Sequence, residues 1–182
     1  MNLLEIILIA AGLSMDAFAV SITLGMQVKK PSASQILSPA ALFGLFQAAM
    51  PIAGYFAGTY FAHIMRRYDK WAAFALLSFL GLKMVKESFS KEGATRRENQ
   101  FRAARLLALA FATSIDALAA GLAYALLNVN IFKAALLTGA ITFLTCAAGV
   151  RAGSLAGAAL KSKATLAGAI VLIAIGVKIL LF

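Results

Sequence analysis

The chain has 182 residues, of which 62% are hydrophobic and 13% are charged. Soluble domains are about half apolar and a quarter charged, so this composition excludes an ordinary soluble protein and indicates an integral membrane protein. The formal net charge of +10 would suit a nucleic-acid partner. Because the basic residues cluster between apolar runs, we instead predict cytoplasmic loops and no nucleic-acid binding.

Six apolar runs are long enough to cross a bilayer as helices. An open sheet cannot satisfy its backbone polar groups in lipid, so we predict an all-α fold. The predicted transmembrane helices are numbered here as spans 1 to 6 in chain order. They cover about residues 3–27, 36–61, 71–87, 103–127, 131–157 and 165–182.

Span 1 carries a lone acid. Asp16 is the only charged residue from Ile6 to Val28, and it follows Ser14 by two positions. A charged side chain at the centre of a bilayer costs roughly 3 kcal/mol or more, so an acid in this place predicts a function.

Span 2 contains an amide followed by a proline. Pro51 removes a backbone donor and frees a carbonyl near Gln47. The amide and the loosened carbonyl could together complete an oxygen-rich site. The alternative is an ordinary packing kink. Met50 offers either a thioether ligand or a flexible side chain that fills a gap.

Span 4 repeats the setting of the first acid. Asp116 is the only charged residue from Leu106 to Phe132, and it follows Thr113 and Ser114. Both acids lie in a Ser-x-Asp-Ala segment. The next span contributes Thr142 at the place that Gln47 occupies in span 2.

The chain contains an internal repeat. Three glycines of span 2 match three of span 5 at one constant offset, and Gly81-Leu82-Lys83 matches Gly176-Val177-Lys178 at the same offset. Asp16 and Asp116 match at a slightly larger offset, because the first repeat has a longer loop. We predict a first three-helix repeat at 1–87, a cytoplasmic linker at 88–102 and a second three-helix repeat at 103–182. The matched glycines are Gly44, Gly54 and Gly58 with Gly139, Gly149 and Gly153.

An odd number of helices per repeat gives the two halves opposite orientations. Most of the basic loop residues follow spans 1, 3 and 5, which predicts that these loops are cytoplasmic and that both termini are periplasmic. Inverted repeats are typical of secondary transporters, whose binding site lies near the midplane between the repeats.

The two acids predict a cation site. Two facing carboxylates repel each other unless a cation or protons neutralise them, which is the basis of a metal/proton exchanger. We predict a metal site at Asp16, Asp116 and Gln47, supported by Ser14, Thr113, Ser114, Met50, Pro51 and Thr142. Such oxygen ligands suit Mg²⁺, Mn²⁺ or Ca²⁺ better than Cu⁺ or Zn²⁺. The alternative is that each aspartate only bonds a neighbouring helix.

The sequence resembles the MntP-type manganese efflux pumps. The resemblance rests on Ser-Met-Asp-Ala-Phe-Ala-Val-Ser, Gly-Leu-Phe-Gln-Ala-Ala-Met-Pro-Ile-Ala-Gly, Gly-Leu-Lys-Met and Ala-Thr-Ser-Ile-Asp-Ala-Leu-Ala, in this order over essentially the whole chain. It implies a six-helix exporter of Mn²⁺ in the bacterial inner membrane, with Asp16 and Asp116 as its functional acids. Mn²⁺ would be the transported substrate, and the protein would be neither an enzyme nor dependent on a cofactor.

Other readings stay open at this point. The chain could carry Cd²⁺, another divalent cation or an amino acid. An intramembrane aspartyl protease also uses two membrane aspartates, but neither acid here stands in a Gly-x-Gly-Asp segment. Lys83 and Lys178 could reach the membrane interface or act as counter-ions to an empty carboxylate pair. The sequence assigns no role to Arg151 and no oligomeric state.

Overall fold

A computed structural model describes residues 2–65, 101–127 and 129–156, together with helical positions 74, 75, 78, 79, 82, 170, 173 and 177. The remainder of spans 3 and 6 lies outside the described residues. So do residues 88–100 of the predicted linker, Lys83 and Lys178. The boundaries of the two repeats therefore stay predictions.

The continuously described ranges form five α-helices and contain no β-strand. Four stretches are long and apolar enough to cross a membrane, which confirms spans 1, 2, 4 and 5 as candidate transmembrane helices. Large apolar side chains such as Leu45, Leu136 and Leu155 are exposed, as lipid-facing positions should be. The helices are α1 Leu3–Gly25, α2 Ala33–Met65, α3 Ala103–Thr113, α4 Ile115–Leu126 and α5 Ile131–Ala156.

The second helix begins earlier than predicted, because a capping box fixes its start. The Ser32 backbone N–H donates to Gln35 Oε1 at 3.0 Å, and the Gln35 N–H donates to Ser32 Oγ at 3.3 Å. This reciprocal pair satisfies two backbone donors that the first turn leaves over. The helix then continues through Pro39 and Pro51.

Span 4 is one candidate membrane span, Ala103–Leu126, but Ser114 divides it into α3 and α4, a break that the sequence analysis did not predict. Its φ and ψ of −102° and 4° lie outside helical values. Its N–H donates three residues back, to Phe111 O at 3.2 Å, instead of four residues back. The hydroxyls of Ser114 and Thr113 bond carbonyls of the preceding turn at 3.0 Å and 2.9 Å. Such bonds compete with the helix, and α1 stays continuous where the residue matching Thr113 is Leu13.

The helices pack across the two halves of the chain. The most extensive contacts are those of α1 with α5, and of α2 with both α4 and α5. At the crossing of α2 and α5, a Cβ added to Gly44 would lie 2.9 Å from Gly139 O, and one added to Gly139 would lie 2.9 Å from Gly44 O. Only residues without a side chain allow two membrane helices to approach this closely.

The contacts recur at the offsets of the sequence repeat. Gly54 of α2 meets the backbone of Leu118 in α4, and the matching Gly149 of α5 meets Phe18 in α1. The pair Gly58 and Leu122 has its counterpart in Gly153 and Ile22. The packing of α4 on α2 therefore repeats that of α1 on α5.

Two buried apolar clusters lie on opposite sides of the aspartates. The first helix contributes to cluster A before Asp16 and to cluster B after it, whereas α3 contributes to cluster B before Asp116 and α4 to cluster A after it. The α1 helix is thus antiparallel to α3 and α4, with the acids between the clusters. Cluster A comprises Ile6, Ile9, Leu13, Ala120, Tyr124, Val129, Ile131 and Ala134. Cluster B comprises Ala17, Leu24, Ala40, Phe43, Leu106, Ala110 and Cys146.

Candidate metal centre

Both predicted acids are buried. Asp16 is 8% exposed in the middle of α1, and Asp116 is 3% exposed in the first turn of α4. The backbone N–H of Ala117 donates to Asp116 Oδ1 at 2.8 Å. The break at Ser114 thus gives this carboxylate a helix N-terminus, whose partial positive charge stabilises an anion.

Gln47 connects the two helices that carry the acids. Its side chain is fully buried. The amide nitrogen donates to Thr113 O at 3.1 Å and makes a longer 3.5 Å bond to Leu13 O. These carbonyls lie one helical turn before Asp116 and Asp16. Because helical side chains lean towards the helix N-terminus, both carboxylates lean back towards the level of Gln47.

This arrangement leaves two buried oxygens without a hydrogen-bond partner. The amide nitrogen of Gln47 faces two carbonyl acceptors, so its Oε1 must point elsewhere, and it has no partner. The second oxygen is Oγ of Thr142, which is also fully buried. Leaving such an atom unpaired costs about 1–3 kcal/mol, and a bound cation is one of the few features that would offset this cost.

Thr142 differs from the threonines around it. The hydroxyls of Thr138 and Thr145 donate to carbonyls four residues back, at 2.8 Å and 2.9 Å. The Thr142 hydroxyl makes no such bond. Thr142 also occupies the position of α5 that matches Gln47 of α2. Two matched positions at the helix crossing therefore each present a buried oxygen.

The predicted supporting hydroxyls have partners in their own helices. Ser14 Oγ donates to Ala11 O at 2.8 Å and Ser114 Oγ to Phe111 O at 3.0 Å. Thr113 Oγ donates to Leu109 O at 2.9 Å. Each hydroxyl keeps lone pairs that could accept from water or contact a cation. Their evident role is local, at the helix turns that hold the acids.

The other predicted residues of α2 are Pro51 and Met50. Pro51 packs closely on α4, where a Cβ added to Gly121 would meet its carbonyl oxygen. Pro51 thus has a packing role whether or not it also loosens the Gln47 carbonyl. Met50 is half-buried. Arg151 is exposed on α5, away from the buried oxygens, and its function is still unassigned.

Among the described residues, no group of three or more His, Cys, Asp and Glu side chains could hold a metal ion. A site here would consist of two carboxylates completed by amide and hydroxyl oxygens. Sequence analysis missed three described residues whose buried hydroxyls have no hydrogen-bond partner, namely Ser21, Ser78 and Tyr124. For Tyr124 the available signal was its place in the repeat, where the first half has Leu24.

Comparison with known proteins identifies relatives named as manganese efflux pumps. A family model described as "Putative manganese efflux pump" matches residues 30–180. A Campylobacter jejuni protein named "Putative manganese efflux pump MntP" is 48% identical over 181 residues, covering 100% of this chain and 97% of the relative. A protein of the same name from Acetivibrio thermocellus is 44% identical over 180 residues, covering 99% of this chain and 91% of the relative. One from Desulfitobacterium hafniense is 44% identical over 181 residues, covering 100% and 95%. No solved structure matches the chain.

Proposed function

The chain belongs to the MntP family of manganese efflux pumps, and from this premise we propose that it exports Mn²⁺ across the bacterial inner membrane as a secondary transporter coupled to protons. The family consists of transporters, so the intramembrane protease considered from the sequence is set aside. Mn²⁺ is the substrate, and the chemistry needs no cofactor.

The position of Gln47 carries this proposal. One amide bonds the backbone of both helices that bear the acids, one turn before each acid, and its own oxygen lacks a partner. Two carboxylates supply the two negative charges that balance a divalent cation. The further oxygens of Gln47 and Thr142 replace part of its hydration shell. An all-oxygen ligand set suits Mn²⁺ and other hard cations, and the names of the relatives favour Mn²⁺ among these.

We further propose the inverted architecture predicted from the sequence, with repeats at 1–87 and 103–182. The matched contacts of α1 on α5 and α4 on α2 support it. The paired acids then lie near the pseudo-twofold axis, at the midplane where secondary transporters bind their substrates.

The charge distribution orients the protein in the membrane. Lys29, Lys30, Arg102 and Arg105 lie at the end of the bundle next to cluster B, since they follow α1 or precede and begin α3. Lys133 lies at the opposite end, at the start of α5. By the positive-inside rule, cluster B faces the cytoplasm and cluster A faces the periplasm, where both termini are proposed to lie.

Proton coupling follows from the same two carboxylates. When Mn²⁺ leaves, Asp16 and Asp116 repel each other in a medium of low dielectric, and two protons relieve this repulsion. Entry of Mn²⁺ from the cytoplasm displaces the protons, and uptake of protons from the periplasm releases Mn²⁺. Each form of the site is neutral, which lowers the cost of its reorientation between the two sides.

Transport by the purified full-length protein in proteoliposomes tests the proposal. Mn²⁺, Cd²⁺, Mg²⁺ and Ca²⁺ would each be supplied with and without an imposed pH gradient, with Asp16→Asn as the inactive control. We expect Mn²⁺ flux that a pH gradient accelerates. Absence of Mn²⁺ flux in the wild type would refute Mn²⁺ export, whereas flux that ignores the pH gradient would refute only the coupling.

A further inference from the structure

Tyr124 is a buried polar residue that the proposed metal site does not use. Its side chain is 1% exposed within cluster A, and its hydroxyl has no hydrogen-bond partner. Buried tyrosine hydroxyls normally find a partner, so an unpaired one in an apolar cluster requires an explanation.

The polarity of the two clusters is not matched. Tyr124 occupies in α4 the position that Leu24 occupies in α1, and Leu24 lies in cluster B. Thr138 occupies in α5 the position of Phe43 in α2, which also lies in cluster B. Both hydroxyls are thus on the cluster A side of the acids, whereas the matched positions on the cluster B side are hydrocarbon. The buried polar side chains on the cluster B side are the smaller Ser21 and Cys146. The helix packing repeats between the halves, but the polar lining does not.

Tyr124 is also connected to the metal centre. It packs in the same cluster as Leu13, whose carbonyl accepts a bond from Gln47. It follows Asp116 by about two helical turns on α4, a rise of roughly 12 Å. The long tyrosine side chain leans towards the helix N-terminus and therefore spans part of this distance towards the acid.

We propose that the Tyr124 hydroxyl is an oxygen ligand for the divalent cation in transit between the paired aspartates and the cluster A side of the membrane. Thr138, whose hydroxyl bonds Ala134 O within its own helix, adds polar surface to the same passage. The inference rests on the proposed function, to which it adds a specific residue on the release route.

The different side chains at these matched positions fit an exporter. A dehydrated divalent cation cannot cross a purely apolar cluster without losing all of its oxygen ligands. On the periplasmic side, the phenol oxygen replaces one of these ligands while the carboxylates are being protonated. On the cytoplasmic side, the matched positions Leu24 and Phe43 offer no oxygen, so an ion there lacks this ligand.

The test compares two variants that each remove one hydroxyl from a tyrosine packed on cluster A. Tyr124→Phe removes the buried hydroxyl. The matched control is Tyr55→Phe, because Tyr55 packs on the same cluster but is only partly buried. Mn²⁺ flux would be measured in proteoliposomes, and Mn²⁺ affinity and the melting temperature would be measured on the purified proteins.

We expect Tyr124→Phe to transport Mn²⁺ about tenfold more slowly than wild type, since it loses one interaction with a charged group at the barrier. Its Mn²⁺ affinity should stay within about twofold of wild type, and its melting temperature should not fall, because the lost hydroxyl has no partner in the fold. Tyr55→Phe should transport at the wild-type rate.

Unchanged Mn²⁺ flux in Tyr124→Phe would overturn the inference. So would an equal decrease of Mn²⁺ flux in Tyr124→Phe and Tyr55→Phe. Loss of Mn²⁺ affinity would place Tyr124 in the resting site and refute a role confined to transit. A lower melting temperature would show that the hydroxyl is bonded within the fold, which also contradicts it. These outcomes leave Mn²⁺ export standing, whereas a wild type without Mn²⁺ flux would refute the export and this inference together.

Discussion

Replacing Gln47 with leucine gives the sharpest test of the metal centre. The substitution keeps a side chain of similar size between α1 and α3, but it removes both the amide donor and the partnerless Oε1. Thr113 is the last residue of α3, so its carbonyl lacks a helical partner and depends on the Gln47 amide.

The effects on stability oppose each other. Loss of the 3.1 Å bond, and of the weaker 3.5 Å bond, removes about 1–2 kcal/mol and leaves the Thr113 carbonyl unpaired, at a further cost of about 1 kcal/mol. Removal of the buried, unpaired Oε1 restores about 1–2 kcal/mol. The folded state should therefore be destabilised by only about 1 kcal/mol, which a bundle of this size tolerates.

The effect on Mn²⁺ binding has no such compensation. Removal of one oxygen ligand from a divalent cation in a buried site should weaken binding by about 1.5–3 kcal/mol, or roughly 10- to 100-fold in Kd. Calorimetric titration of the purified variant with Mn²⁺, together with a thermal melt, measures both quantities. A folded Gln47→Leu protein with a Kd within about twofold of wild type would show that Gln47 is not a ligand.

The remaining predictions concern the acids, the matched oxygen, the helix crossing and the topology. Asp16→Asn and Asp116→Asn should each abolish protection of cells against excess Mn²⁺ at normal membrane levels, because a neutral amide cannot balance a divalent charge in low dielectric; full protection by either would contradict the paired site. Thr142→Val should weaken Mn²⁺ binding about tenfold in a calorimetric titration without lowering the melting temperature, since its hydroxyl has no partner in the fold. Gly44→Ala should lower the melting temperature by overpacking the α2–α5 crossing, at a cost of about 1–3 kcal/mol. Topology reporters should show a cytoplasmic 88–102 linker and a periplasmic C-terminus, and a cytoplasmic C-terminus would exclude the inverted repeat.

The sequence predicts those features that depend on local composition. Four membrane-crossing helices follow from long apolar runs, and the buried acids follow from lone charges within those runs. The early start of α2 was also readable, because Ser32 and Gln35 form a capping box, although the prediction placed the start at the apolar run instead.

Other features depend on the competition between helical and side-chain hydrogen bonds, whose outcome the local sequence does not reveal. Ser14 and Ser114 make the same bond to the carbonyl three residues back, yet only the second lies at a helix break. The difference is the residue before each serine, since Thr113 adds a second hydroxyl that bonds backbone whereas Leu13 adds none. Whether the helix breaks at such a serine also depends on neighbouring helices. Here the Gln47 amide of α2 satisfies the Thr113 carbonyl at the break.

Buried hydroxyls without partners are likewise invisible in the sequence. Thr138, Thr142 and Thr145 occupy one helix with similar neighbours, but only Thr142 leaves its oxygen unbonded. Tyr124 resembles any aromatic residue of an apolar run until the surrounding helices enclose its hydroxyl. The sequence pointed to Thr142 through its match with Gln47, but the missing hydrogen-bond partner of either hydroxyl is seen only once the two halves pack against each other.

Positions that match between the two repeats contribute to stability, whereas positions that differ between them contribute to transport. Three glycines of α2 at helix contacts recur in α5, because the same close approach is made twice. A strictly symmetric lining would present equal barriers to an ion leaving towards either side, so a structural preference for one direction must come from positions that differ. We therefore expect substitutions at matched glycines to lower stability, and substitutions at unmatched pairs to alter rate or affinity in a folded protein. The unmatched pairs at or near the metal centre include Gln47 with Thr142, Leu24 with Tyr124 and Phe43 with Thr138.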